Sequence, residues 1–96
     1  MARPHYDISI HPADNFFLPE GVPRNFGALV DDNRVSFVDT DGEPIQGEVF
    51  APTMIPFGPS QYSIEYGIRQ LVLADLRDSF KIEAEKIDIR VSKRNE

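Results

Sequence analysis

The chain has no cysteine. That removes a disulfide framework, a thiolate metal site and a cysteine nucleophile together, and it suits a reducing compartment such as the cytoplasm. No apolar run approaches the roughly eighteen residues of a membrane-spanning helix. The segment Met1-Ala2-Arg3-Pro4-His5-Tyr6-Asp7 also lacks the apolar core of a signal peptide. The expectation is a soluble, cytoplasmic protein with no membrane partner. Serine catalysis has no foothold, because Ser9, Ser36, Ser60, Ser63, Ser79 and Ser92 lie outside any Gly-x-Ser-x-Gly elbow or Ser-x-x-Lys pair. Gly21 and Gly27 lack the spacing of a phosphate loop, and there is no Gly-Lys-Ser/Thr. Basic charge is scarce: ten Lys and Arg against sixteen Asp and Glu leave a net charge of −6. Such a balance repels phosphate and argues against direct nucleic-acid binding.

What remains suffices for one domain spanning 1–96. With 41% hydrophobic residues, seven Phe and three Tyr, a single modest core is within reach, near the small end of what folds without staples. The charge is uneven. Residues 1–66 hold ten acids and three bases, whereas residues 67–96 hold six acids and seven bases. The acidic part suits a basic surface on another protein; the plainer account of the surplus is solubility.

Tyr6–Ile10 alternates apolar and polar residues as a half-buried strand does, between Pro4 and Pro12. Residues 14–27 combine turn formers with Phe16, Phe17, Leu18 and Phe26, which predicts an ordered loop folded over the core, with a short strand near Gly27–Val30. A hairpin follows: strands Val35–Asp39 and Ile45–Phe50 flank Thr40-Asp41-Gly42-Glu43-Pro44, with Gly42 supplying a positive φ. After the proline-rich stretch 52–59, Ser60 is placed to cap a helix from Gln61 to about Ser79. Helical geometry gathers Ile64, Ile68, Leu71 and Val72 on one stripe, and Tyr62, Tyr66, Arg69, Leu73, Leu76 and Phe80 on a second. Asp75 projects into the first stripe, so the helix ends early or that stripe reaches an edge. Ile87–Val91 alternates again, and 92–96 reads as a polar, frayed tail. The order β-loop-ββ-α-β predicts an α+β, two-layer domain: a mostly antiparallel sheet of about four strands under one long helix. No repeat or low-complexity segment is present.

His5 and His11 are the two histidines. On a strand they share the polar face with Asp7 and Ser9, about 20 Å apart and too far to share a metal. The expectation is solvent-facing side chains, His5 within reach of a surface pair with Asp7. Asp39-Thr40-Asp41-Gly42 has part of a calcium-loop pattern, but Phe37 stands where the first carboxylate is needed and Pro44 where an apolar residue belongs. A hairpin tip is the better reading, and no metal or cofactor is implied. Asp31 and Asp32 are adjacent acids beside a turn, a solvated setting rather than an acid–base site. Lys86, Arg90, Lys93 and Arg94 lack the interleaved aromatics of an RNA-binding surface and read as a solvated strand end.

Two surfaces stand out. Asp31, Asp32, Asp39, Asp41, Glu43 and Glu48 lie within eighteen residues, opposed only by Arg34. They predict a negative patch that docks on a basic surface of a larger protein, such as a nucleic-acid-binding enzyme. In overall character (small, acidic, cysteine-free) the chain resembles phage-encoded inhibitors of host defence or nucleic-acid enzymes, and immunity proteins; the likeness is one of character, not of motif. It implies a non-enzymatic, stoichiometric inhibitor or adaptor. The second surface is the helix stripe of Tyr62, Tyr66, Arg69, Leu73 and Phe80, rich in interface-type residues. It would make the chain a self-associating structural subunit, a homodimer or particle component, unless the Phe-rich loop of residues 16–26 or the proline-rich loop of 52–59 covers it.

Overall fold

A strand sends successive side chains to opposite faces, so the alternation in His5-Tyr6-Asp7-Ile8-Ser9-Ile10 commits Tyr6, Ile8 and Ile10 to one side. The computed structural model describes residues 4–31, 34–45, 53–54 and 61–94, with the backbone alone at 53–54 and 61–63. In it these three side chains are buried in the core. The strand, β1, runs His5–Pro12; β2 is Asn25–Asp31, β3 Arg34–Val38, β4 the two-residue Thr53–Met54, and β5 Ile87–Lys93. A single helix, α1, spans Gln61–Phe80, and a 3-10 turn at Ala84–Lys86 leads into β5. The sheet is antiparallel throughout, in the order β4-β3-β2-β1-β5. The domain is therefore α+β, an antiparallel open sheet with one helix on it. β1, β2 and β3 form a meander, and α1 carries the chain back so that β5 lies beside β1.

Register fixes the core. Tyr6 faces Ala28, Ile8 faces both Phe26 and Val91, and Ile10 faces Ile89. On the other flank Ala28 meets Phe37 and Val30 meets Val35. The Phe26 and Phe37 rings stand 6.1 Å apart, tilted by 49°, a separation typical of favourable aromatic pairs. Against this layer α1 buries Ile68, Val72 and Leu76 completely, one residue per turn, with Ile64, Leu71, Leu73 and Phe80 half-buried around them. The two helix stripes thus merge into one broad apolar face. Asp75 is half-buried at its margin while the helix continues to Phe80. Among the described residues no helix is long and apolar enough to cross a membrane.

The structure corrects several expectations from pattern. Gly27–Val30 belongs to a seven-residue strand near the middle of the sheet, and the sheet's main hairpin is β2–β3. The expected return strand Ile45–Phe50 begins as foreseen: Val38 bridges Pro44, and the Ile45 amide reaches the Phe37 carbonyl. Had that register continued, Val35 would face Gly47; it faces Thr53, six residues further on. Residues 46–50 and the Ser60 cap lie outside the described residues. In the 13–24 loop, Phe16 and Leu18 pack against the core, but Phe17 is 84% exposed. Gly21 of that loop sits beside the Phe80 ring, so the loop reaches one end of the second helix stripe. Ser92 and Lys93, expected in a frayed tail, pair with Asp7 and Tyr6.

The end of α1 is set by Lys81, whose φ of 59° lies in the left-handed region. Its amide donates to the Arg77 carbonyl (3.1 Å), and the Ile82 amide reaches back to Leu76 (3.2 Å), folding Ile82 into the core. Glycine adopts this conformation without the Cβ clash that lysine meets. Lys81→Gly should therefore stabilise the domain by about 0.5–1 kcal/mol in urea denaturation; a loss of stability would refute the strained cap. A second prediction concerns Tyr6, whose phenol is pushed above 10.0 by burial first and by the nearby Glu65 charge second. Below pH 10.0 both folded and unfolded chains hold the proton; above it the unfolded chain releases its proton first, so stability falls. Tyr6→Phe should make the fall of stability above pH 10.0 shallower than in the wild type, as read by chemical denaturation across that range.

Candidate functional site

Asp39 builds the acidic turn. The Gly42 amide donates to the Asp39 carbonyl (3.1 Å), and the Asp39 amide donates to the Glu43 carbonyl (2.8 Å). This is a three-residue hairpin loop, Thr40-Asp41-Gly42, with Gly42 at φ 89° in the left-handed position that such loops require. The Asp39 carboxylate Oδ1 then accepts from the amides of Asp41 (2.9 Å) and Glu43 (3.0 Å). Its negative charge is turned inward on the loop backbone, so Asp39 positions its neighbours. Asp41 and Glu43 are exposed.

The six acids foreseen as one patch do not all converge. Asp31 is exposed and faces Arg34 across the β2–β3 hairpin. It stands beside the start of β3, whereas the Asp39–Glu43 turn stands past its end, about 17 Å away along the strand. Asp32 and Glu48 lie outside the described residues. On the helix, Tyr66 is 47% exposed and Arg69 is exposed. Leu73 and Phe80 are instead partly packed against the core, and Leu76 of the same stripe is wholly within it. The Tyr62 side chain is outside the described residues.

A feature missed in the sequence lies on the sheet face that α1 leaves uncovered. Register brings Arg90, Ser9 and Asn25 into one row and Ser92, Asp7, Gly27 and Val38 into the next. With Thr40 of the acidic turn, the polar members of these rows line an open groove of about 480 Å³. Arg94 grips Asp7 through two nitrogens, and Arg90 pairs with Asp88 at 3.0 Å. Val38, though on this face, is 3% exposed.

His5 overturns its expected place in solvent. It is 9% exposed, and its Nε2 lies 3.7 Å from Asp7 Oδ1 without a hydrogen-bond partner. The reason lies diagonally across on β2, where Gly27 faces Asp7: Gly27 has no side chain, and the imidazole edge occupies the space a Cβ would take, 2.6 Å from Nε2. His11 is exposed as foreseen, bonded to Ser9 Oγ (3.0 Å). The alternation of β1 put His5 on the right face; the vacancy over Gly27 needed the register to be seen. Among the described residues, no group of three or more His, Asp or Glu is placed to hold a metal ion.

No family model, no curated protein and no solved structure matches the chain. Any function therefore has to be argued from its own surfaces.

The contact between His5 and Gly27 is open to direct test. Gly27→Ala would press a methyl against the imidazole and the Tyr6 carbonyl (3.2 Å), costing about 1–3 kcal/mol in denaturant unfolding. In a His5→Ala background the penalty should shrink, leaving only the backbone contact. Equal penalties in both backgrounds would show that His5 does not fill the space over Gly27.

Proposed function

We propose that the chain is a small acidic protein-binding domain, acting in the cytoplasm as a stoichiometric inhibitor or adaptor that docks on a basic surface of a larger protein. The observation that carries this reading is the Asp39 turn. Its backbone is ordered by four amide-donated hydrogen bonds before any partner arrives, two accepted by backbone carbonyls and two by the Asp39 carboxylate. Asp41 and Glu43 are then presented at little further entropic cost. Asp31 supplies a second negative point at the other end of β3, so the acidic edge is extended rather than focused. Two anchors about 17 Å apart favour a broad basic surface over a single cationic pocket. Nucleic-acid-handling enzymes carry broad surfaces of that sign, which places them among the candidate partners. The net charge of −6 adds long-range attraction that salt would screen.

The reading assigns no reaction to the chain. Self-association through the helix has the exposed Tyr66 in its favour, but Leu73 and Phe80 are partly committed to the core.

Capture from lysate by the tagged protein, at low and at high salt, should retain a basic protein that high salt releases. With that protein purified, the combined change Asp31→Asn, Asp41→Asn and Glu43→Gln should weaken binding about threefold to a hundredfold, since exposed ion pairs contribute about 0.2–1 kcal/mol each. Unchanged affinity for the neutralised variant would remove the proposal.

A further inference from the structure

The two edges of the sheet are not alike. On one side the edge strand is β4, Thr53–Met54. On the other, β5 runs seven residues, Ile87-Asp88-Ile89-Arg90-Val91-Ser92-Lys93, without proline or glycine. The Arg94 amide donates to the His5 carbonyl (2.8 Å), and the Ala13 amide to the Lys86 carbonyl (2.8 Å). Those two bonds set the parity of the β1–β5 ladder. Asp88, Arg90 and Ser92 turn their backbone groups toward β1, whereas Ile87, Ile89, Val91 and Lys93 turn theirs away. The Ile87 amide is taken up by the Ala84 carbonyl of the 3-10 turn; among the described residues, no hydrogen bond takes up the outward amides and carbonyls of Ile89, Val91 and Lys93. An open strand edge of this kind is a template for a further strand.

We propose that β5 pairs antiparallel with β5 of a second copy of this chain, joining the two sheets into one. This goes beyond the acidic-surface reading and does not depend on it. The occupant is argued from charge. Parity requires the outward residues to form the hydrogen-bonded pairs, which allows registers centred on Ile89 or on a neighbouring residue.

Centred on Ile89, Asp88 faces Arg90 of the second copy, and Arg90 faces its Asp88. The four charges then alternate in sign on the face opposite the helices. Within one chain Asp88 and Arg90 already form an exposed ion pair on that face, so the side chains are poised to share. On the helix side, Ile89 meets Ile89, and the half-buried Ile87 and Val91 meet one another. The adjacent register centred on Asp88 sets Asp88 against Asp88 and Arg90 against Lys86. The one centred on Arg90 sets Arg90 against Arg90. Like charges directly opposite destabilise a strand pair, so charge favours the Ile89-centred register over the two beside it, and that register is self-complementary, as a twofold interface requires.

Sedimentation equilibrium of the intact chain from about 1 μM to about 1 mM should show 10.9 kDa protomers converting to twice that mass. As the dimer forms, amide exchange should slow at Ile89 and Val91 and stay unchanged at Asp88 and Arg90, which β1 already protects. Val91→Pro removes one outward amide and no β1 bond, and should abolish the dimer while circular dichroism keeps the native spectrum. Asp88→Lys and Arg90→Asp should each weaken self-association about tenfold or more. Mixed together, the two charge variants should pair with each other, because every cross-strand position again holds opposite signs. A wild-type chain that stays at 10.9 kDa throughout would overturn the proposal. So would a dimer that survives Val91→Pro and both charge changes, since that dimer would use another surface.

Discussion

β1 is bonded on both sides, and its two-residue period organises the rest of the molecule. Even-numbered residues send their side chains under the helix and their backbone groups toward β2; odd-numbered residues send side chains to the open face and backbone groups toward β5. Tyr6, Ile8 and Ile10 thereby define the core. The same rule places Asp7 where Arg94 can hold it and His5 over Gly27. A shift of one residue in either ladder would exchange these two sets and put carboxylate and imidazole beneath α1. The burial of one face makes the register strongly preferred, and the chemistry of the other face follows from it.

The helix answers that layer with more apolar surface than a single narrow stripe. Ile68, Val72 and Leu76 would suffice to close the centre, and Leu73 and Phe80 widen the contact toward the 13–24 loop, where Gly21 approaches the Phe80 ring. A small domain buries a modest fraction of its surface, so this widening supplies core that five short strands alone would lack. It also explains why a stripe rich in interface-type residues is largely used internally.

Much of this was legible in the sequence, for identifiable reasons. Alternation marked β1 and β5, and helical spacing marked α1 to within a residue of its end. The Asp-Gly pair marked the turn, where Gly42 takes its positive φ. β2 was harder: Phe26-Gly27-Ala28-Leu29-Val30 does not alternate in polarity, because Gly27 and Leu29 face the open side where polar residues were expected. The open-face groove was invisible, since Asp7, Asn25, Thr40 and Arg90 come from four separate segments that only the register unites. The acidic cluster shows the opposite failure. Acids close in sequence were read as close in space, yet β3 itself holds Asp31 apart from Asp41.

The ladder between β1 and β5 also bears on the order of assembly. Asp7 and Arg94 stand 87 residues apart in sequence, whereas β1 and β2 are joined by a short loop. Loop-closure entropy makes the distant contact costlier to nucleate than the β1–β2 contact by about 1–2 kcal/mol. The meander can form from local contacts, and α1 can form within its own segment, before β5 is drawn in. The strand with the open edge is thus the one whose pairing is kinetically most deferred. Until it docks, the half of β1 that faces it is an edge as well, and the nascent chain offers a second template for association before the first has been buried.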